Sequence, residues 1–286
     1  MPNPFKRHGS SFRSDDWKAW SIGLLAQLVG EDLAVGKSSF ALIGDIGSGK
    51  TTALHAYRHR VEAARPEDVF ISFDAGSMDL GHVLTLHRLV YSDLIAKLGE
   101  AMFDQVVTAL GIGRRTLGPH LGSHEVYAII KALVQRSEEG GRRVHLLIDE
   151  CQRPAEDFES KVDTASLRSW FELLKNLAET MTYGGGCMVI TTTTIPWQNA
   201  PQHARDRFVA LRALAPEAEE IQAFIKEGLK HTGPDKPSTV AAGLGAAIKE
   251  GHAALVTIRE LHDLCYRAWH NATKAGAKAL GEEHIP

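Results

Sequence analysis

Gly44-Asp45-Ile46-Gly47-Ser48-Gly49-Lys50-Thr51 lies between the apolar run Phe40-Ala41-Leu42-Ile43 and the stretch Thr52-Ala53-Leu54-His55-Ala56-Tyr57. The run before it reads as a strand and the stretch after it as a helix. The octet therefore matches G-x-x-x-x-G-K-[ST] in the strand-loop-helix setting that gives this pattern its mechanism. Glycines let the backbone wrap a triphosphate, so that successive N–H groups and a helix N-terminus point at its oxygens. Lys50 is expected to reach the β- and γ-phosphates and Thr51 to ligate Mg²⁺. Thr52, in the same first turn, joins Gly44, Asp45, Ile46, Gly47, Ser48, Gly49, Lys50 and Thr51 as a phosphate-loop contact.

About 100 residues on, Val144-His145-Leu146-Leu147-Ile148 is a nearly continuous apolar run ending in Asp149-Glu150. A strand buried on both faces of a parallel sheet has this composition. Its carboxylates then stand at the carboxyl end of a strand, where open α/β sheets place their ligands. Asp149 is expected to hold Mg²⁺, directly or through water, and Glu150 to polarise the attacking water.

The 286 residues suffice for one large domain and a smaller one, and 44% hydrophobic with 23% charged residues is ordinary for a soluble globular chain. No apolar run reaches membrane-spanning length and the start, Met1-Pro-Asn-Pro-Phe-Lys-Arg-His8, is polar, so the expectation is a cytoplasmic protein with no membrane partner. Cys151, Cys187 and Cys265 are too few and too scattered for a disulfide framework, and His262/Cys265 or His120/His124 lack a second pair that would complete a metal site. A formal net charge of −3 excludes a bulk-basic nucleic-acid binder. Binding to DNA would need a local basic element, such as Lys6, Arg7 and Arg13 or Arg114 and Arg115, repeated around an assembly.

Residues 1–13 read as a flexible N-terminal segment, and Ser14-Asp15-Asp16 caps a helix to about Val29. Strands are expected at 39–43, 69–73, 144–148, 187–193 and 208–211. Helices are expected after the phosphate loop to Ala64, over 80–98, over 124–138 with Ser123 as cap, and over about 164–180. This alternation predicts a doubly wound, five-stranded parallel sheet within residues 14–213. From Pro216, taken as the first helical position of a helix start, the pattern turns helical. It predicts a small helical lid over 214–286, with further helices at about 238–250 and 257–275.

On Gly44–Thr51, Leu146–Glu150, a strand closing on Thr193, Arg205 and Arg207 before the fifth strand, and Arg259 opening a late helix, the chain after residue 12 resembles AAA+ ATPases. The resemblance implies a P-loop αβα sandwich with a helical lid, binding and hydrolysis of ATP with Mg²⁺, and nucleotide-dependent assembly into a ring or filament. It implies that Thr193, or Thr192 or Thr194, contacts the attacking water or γ-phosphate. It further implies that Arg205 or Arg207 reaches a neighbouring subunit's nucleotide, and that Arg259 senses nucleotide from the lid. Asp149-Glu150-Cys151-Gln152 is similar to the continuation found in Mu B-type and TniB-type transposition regulators and ExeA-type secretion ATPases. The early helix and the lid pattern are similar to the origin-recognition initiator branch. That branch continues into a winged-helix DNA-binding domain where this sequence reads Gly281-Glu-Glu-His-Ile-Pro286; the expectation is that such a domain is lacking or that a domain boundary falls there. The resemblance favours a DNA-associated switch with a protein partner in transposition, replication or defence. The competing reading is a protein-remodelling, secretion or signalling ATPase without nucleic acid, whose unfoldase form is weakened by the lack of an aromatic-hydrophobic-Gly pore signature after the second strand.

Overall fold

The computed structural model describes residues 39–78, 85–112, 121–151, 164–213, 216–230, 232, 236–252 and 258–286. Lys6, Arg7, Arg13, the capped helix over 14–29, the start of the helix expected from Leu80, Arg114, Arg115 and Gln152 lie outside the described residues. The described chain falls into two compact units, one holding 39–43 and 57–212, the other 44–56 and 213–286.

The first unit is built on five strands: β1 (Ser39–Ile43), β2 (Val69–Asp74), β3 (Val144–Asp149), β4 (Cys187–Thr192) and β5 (Val209–Arg212). They pair in the order β2-β3-β4-β1-β5, every pair parallel. Ile43 is level with Thr192, and Asp74 with Asp149, so β2 and β3 end together on two carboxylates. All five residues of β1 and all six of β4 are buried, which explains why they read as apolar runs without alternation.

The helix α1 (Lys50–Ala64) follows the phosphate loop, and α2 (Leu86–Leu98), α3 (Glu100–Ala109), α4 (Ser123–Glu139) and α5 (Thr164–Tyr183) follow in turn. Ile71, Leu146 and Ile148 of the sheet form one core with Val90 and Leu94 of α2, Ile129 and Leu133 of α4, and Trp170 and Leu174 of α5. Gly99 ends α2 as expected, but its N–H bonds Ile95 O (2.9 Å) while the residue also starts α3, a helix the sequence pattern did not separate. In α4, Ser123 is already helical and Gly122 is the cap; the Glu125 carboxylate accepts the Gly122 N–H at 2.6 Å, so the acidic side chain secures the start.

Beyond β4 come two short helices, α6 (Thr194–Asn199) and α7 (Gln202–Arg205). The second unit contributes α8 (Ala218–Leu229), β6 (Thr239–Val240), α9 (Leu244–Gly251), α10 (Ile258–Lys274) and β7 (Ala279–Leu280) around its own core of Phe224, Ile225, Leu261, Leu264, Trp269 and Leu280. Pro216 stands before α8 and not in it. Glu217 is the cap, its N–H held by Glu220 Oε2 at 2.8 Å. The helical terminal piece carries one addition, a parallel ladder between β6 and β7, where the sequence suggested a helix from Ser238.

Candidate functional site

The phosphate loop bends where the motif needs it to. Gly47 has φ +90° and Gly49 φ +86°, a region that L side chains avoid. Asp45 and Ile46 are exposed at the tip, whereas Ser48 and Lys50 are buried. The Lys50 ammonium donates to Gly44 O (2.7 Å) and Asp45 O (3.0 Å), so the cation sits in the cradle of its own loop. Ser48 Oγ is buried with no hydrogen-bond partner among the described residues. A buried cation, an orphaned hydroxyl and two left-handed glycines in one loop fit a polyphosphate. Thr51 is exposed and Thr52 half-buried in the first turn of α1.

Arg259 belongs to the same unit and lies against this loop. Its N–H donates to Gly47 O (3.2 Å), and a Cβ built on Gly47 would meet Arg259 Cβ at 2.9 Å. The late-helix arginine expected from sequence therefore abuts the phosphate loop through backbone and side chain alike.

In the other unit, Asp149 and Glu150 are half-buried at the end of β3. Glu150 has φ +54°, the one positive φ of a non-glycine residue among the described residues. That conformation costs about 1–2 kcal/mol. It is offset by two acceptors on the Glu150 N–H, Asp149 Oδ1 at 3.0 Å and Thr191 Oγ1 at 2.9 Å. The Thr191 hydroxyl in turn donates to Asp149 Oδ1, and Cys151 N–H bonds Thr191 O at 2.9 Å. Thr191 thus fixes both carboxylate residues, although the sequence reading singled out its neighbours. The signal was the β4 threonine run itself; which of its members faces β3 depends on register, and Ile190 opposite Ile148 sets it.

Cys151 is fully buried, and burial, reinforced by the Asp149 charge, holds its thiol well above the ordinary range. It is therefore a neutral packing group beside the acidic pair. Among the described residues no group of three or more His, Cys, Asp or Glu side chains could hold a metal ion.

Thr193 follows β4 directly, 9% exposed, as the cap of α6 with no side-chain hydrogen bond to that helix. Arg205 and Arg207 precede β5, an edge strand of the sheet. The two arginines differ. Arg207 Nε pairs with Glu179 Oε1 of α5 at 2.8 Å, and His203 pairs with Glu172, seven residues earlier on the same helix. Arg205 donates to Gln202 Oε1 at 2.6 Å, and its buried Nε has no hydrogen-bond partner among the described residues. Segment 203–207 is strapped to α5 by its flanking residues, and Arg205 keeps an unsatisfied donor.

A glycine-bounded loop with a buried lysine, followed by a five-stranded parallel sheet whose third strand ends on two carboxylates, defines a P-loop nucleoside triphosphatase. A family model described as "AAA domain" matches residues 34–192, more than half of the chain, and the chain belongs to this family of AAA+ P-loop ATPases. No curated protein matches it. Among solved structures, the ORC2 protein of Aeropyrum pernix, determined as ADPNP–ADP complexes, is 15% identical with a TM-score of 0.50, covering 99% of this chain and 69% of its own. Cdc6p of Pyrobaculum aerophilum (16% identity, TM-score 0.47) is matched over 97% of this chain and 67% of its own, and the Aeropyrum pernix ORC1 protein in complex with DNA (19%, 0.46) over 91% and 61%. The likeness to ORC2 is one of fold, the P-loop αβα sandwich. No helix among the described residues is long and apolar enough to cross a membrane.

Proposed function

We propose that the protein binds and hydrolyses ATP with Mg²⁺, using a nucleotide-binding domain over 14–213 and a lid over 214–286. The observation that carries this reading is the phosphate loop, with Lys50 seated on the carbonyls of Gly44 and Asp45 beside the orphaned Ser48 hydroxyl. The backbone of Gly44–Gly49, with Lys50 and Thr52, binds the triphosphate. Thr51 and Asp149 hold Mg²⁺, which when bound neutralises charge on the phosphate oxygens. Glu150 takes the proton of the attacking water, Thr193 orients that water or the γ-phosphate, and Arg259 answers to the nucleotide from the lid.

Arg205 serves a neighbouring subunit's nucleotide, and Arg207, already paired with Glu179, holds the segment. Assembly is therefore nucleotide-dependent, a ring or filament. On the resemblance of Asp149-Glu150-Cys151 to transposition regulators, the assembly engages DNA and a protein partner in transposition, replication or defence. Steady-state ATP turnover measured with and without duplex DNA, beside electron microscopy of the same samples with an ATP analogue, tests this. Turnover and assembly indifferent to DNA would leave the ATPase reading standing and remove the DNA one.

A further inference from the structure

We propose that Gly76 is a positioning residue for Glu150, the turn after β2 forming the seat of that carboxylate. The inference rests on the reading of Glu150 as the base. Gly76 lies in a single 3-10 turn, Ala75–Ser77, fixed at both ends. Its N–H donates to Asp74 Oδ1 (2.9 Å), and Ser77 Oγ donates to Asp74 O (2.9 Å). A Cβ built on Gly76 would stand 2.0 Å from Glu150 Oε2 and 3.1 Å from its carboxyl carbon. The carboxylate of Glu150 therefore occupies the volume that any other residue at position 76 would fill.

Gly76 is outside the positive-φ set, so alanine can take its backbone conformation. Space, and not conformational freedom, is what the glycine supplies. The backbone of Glu150 is independently held, because its N–H is bonded to Asp149 Oδ1 and Thr191 Oγ1. Only side-chain torsions remain to place the carboxylate, and the Gly76 turn bounds them on one side. With a methyl group at 76, Oε2 must retreat by about 1 Å to reach 3.0 Å, the closest approach a Cβ tolerates. The obstacle is the end of a flexible side chain, so the base moves and the fold does not. A misplacement of about 1 Å at a reacting group can cost on the order of a hundredfold in rate.

The test is a kinetic cycle on the full chain with Gly76→Ala, Glu150→Gln and the double variant. Gly76→Ala should lower kcat roughly ten- to a hundredfold, with KM and the affinity for an ATP analogue within about twofold of wild type. Added to Glu150→Gln, it should change the residual rate by less than about twofold, because the group it displaces is already disabled. Asp74→Ala, which frees the turn without adding a methyl group, should lower kcat in the same direction and decides the matter if Gly76→Ala does not fold. Wild-type or raised turnover in folded Gly76→Ala, unchanged kcat in Asp74→Ala, or a full multiplicative loss in the double variant overturns the seat. Inactive Glu150→Gln beside active Gly76→Ala would remove the seat alone; wild-type turnover in Glu150→Gln would remove the base assignment and the seat with it.

Discussion

The hydroxyl of Thr191, on β4, donates to Asp149 Oδ1 at the end of β3. The same hydroxyl accepts the N–H of Glu150 at 2.9 Å, so one side chain joins the residue assigned to the metal and the residue assigned to the water. Removing it leaves Glu150 in a left-handed conformation with one acceptor fewer, and leaves Asp149 short of a donor. Thr191→Val should keep the volume, lower ATP turnover by about tenfold or more, and reduce stability by about 1–2 kcal/mol. Thr191→Ser should retain most of both. Steady-state kinetics and thermal unfolding of the two variants check this; a Val variant with wild-type kcat would separate Thr191 from catalysis.

Lys50→Ala should abolish nucleotide binding in a folded protein. The ammonium donates to the carbonyls of Gly44 and Asp45 in its own loop and belongs to neither hydrophobic core, so its loss leaves both cores intact. Titration with a fluorescent ATP analogue measures it. Micromolar affinity retained by the variant would contradict the phosphate-loop assignment.

Glu150→Gln should bind ATP and Mg²⁺ but turn over roughly a hundredfold or more slowly, because an amide keeps the shape and cannot take a proton. The variant should also accumulate the assembled state. Its sedimentation with ATP, compared with that of wild type, reports this.

The parts of the fold written in local chemistry are legible in the sequence. The phosphate loop, the apolar strands β1 and β3, the strand ending on Asp149-Glu150 and the helical end all depend on neighbours in sequence. What was hidden depends on register or on space. The sequence points to Thr193 and not to Thr191, because only the pairing of β3 with β4 tells which threonine of the run meets the carboxylates. Gly76 lies just past the strand expected at 69–73, and nothing local indicates that Glu150 fills the volume its side chain would take. Arg205 and Arg207 could not be ranked until Glu179, 28 residues before Arg207 in the sequence, was seen to claim one of them.

The strap that holds the Arg205 segment should be sensitive to acid. Hydrogen bonds from His203 and then Lys175 hold the Glu172 carboxyl below the ordinary carboxylate range. A depressed folded-state value means the stabilising contribution is present above the ordinary Glu range and is lost as pH falls through the folded-state value. Glu172→Gln should therefore flatten the acid limb of stability and leave stability near neutral pH only slightly lower. Thermal unfolding of both proteins from neutral pH down through the carboxylate range gives the comparison. Identical acid limbs would show that the strap contributes nothing.

Arg205 precedes the edge strand β5, its buried Nε without a partner among the described residues, while Arg207 is engaged by Glu179 within the same chain. If Arg205 completes a neighbour's site, turnover depends on a joint between two subunits, and specific activity should rise with protein concentration at low concentration. Arg205→Ala should bind ATP normally and be nearly inactive, whereas Arg207→Ala should keep most of its activity and lose a modest amount of stability. An Arg205→Ala, Arg207→Ala double variant should match the first. Mixed with Lys50→Ala protein, itself inactive, the double variant should regain part of the wild-type rate. At some joints its intact phosphate loop meets the intact arginine of the other protein. Activity independent of concentration, with no gain on mixing, would place the catalytic cation within the same chain or on another partner. Full activity in Arg205→Ala with loss in Arg207→Ala would instead transfer the role to Arg207, and the Glu179 pair would then have to open on assembly.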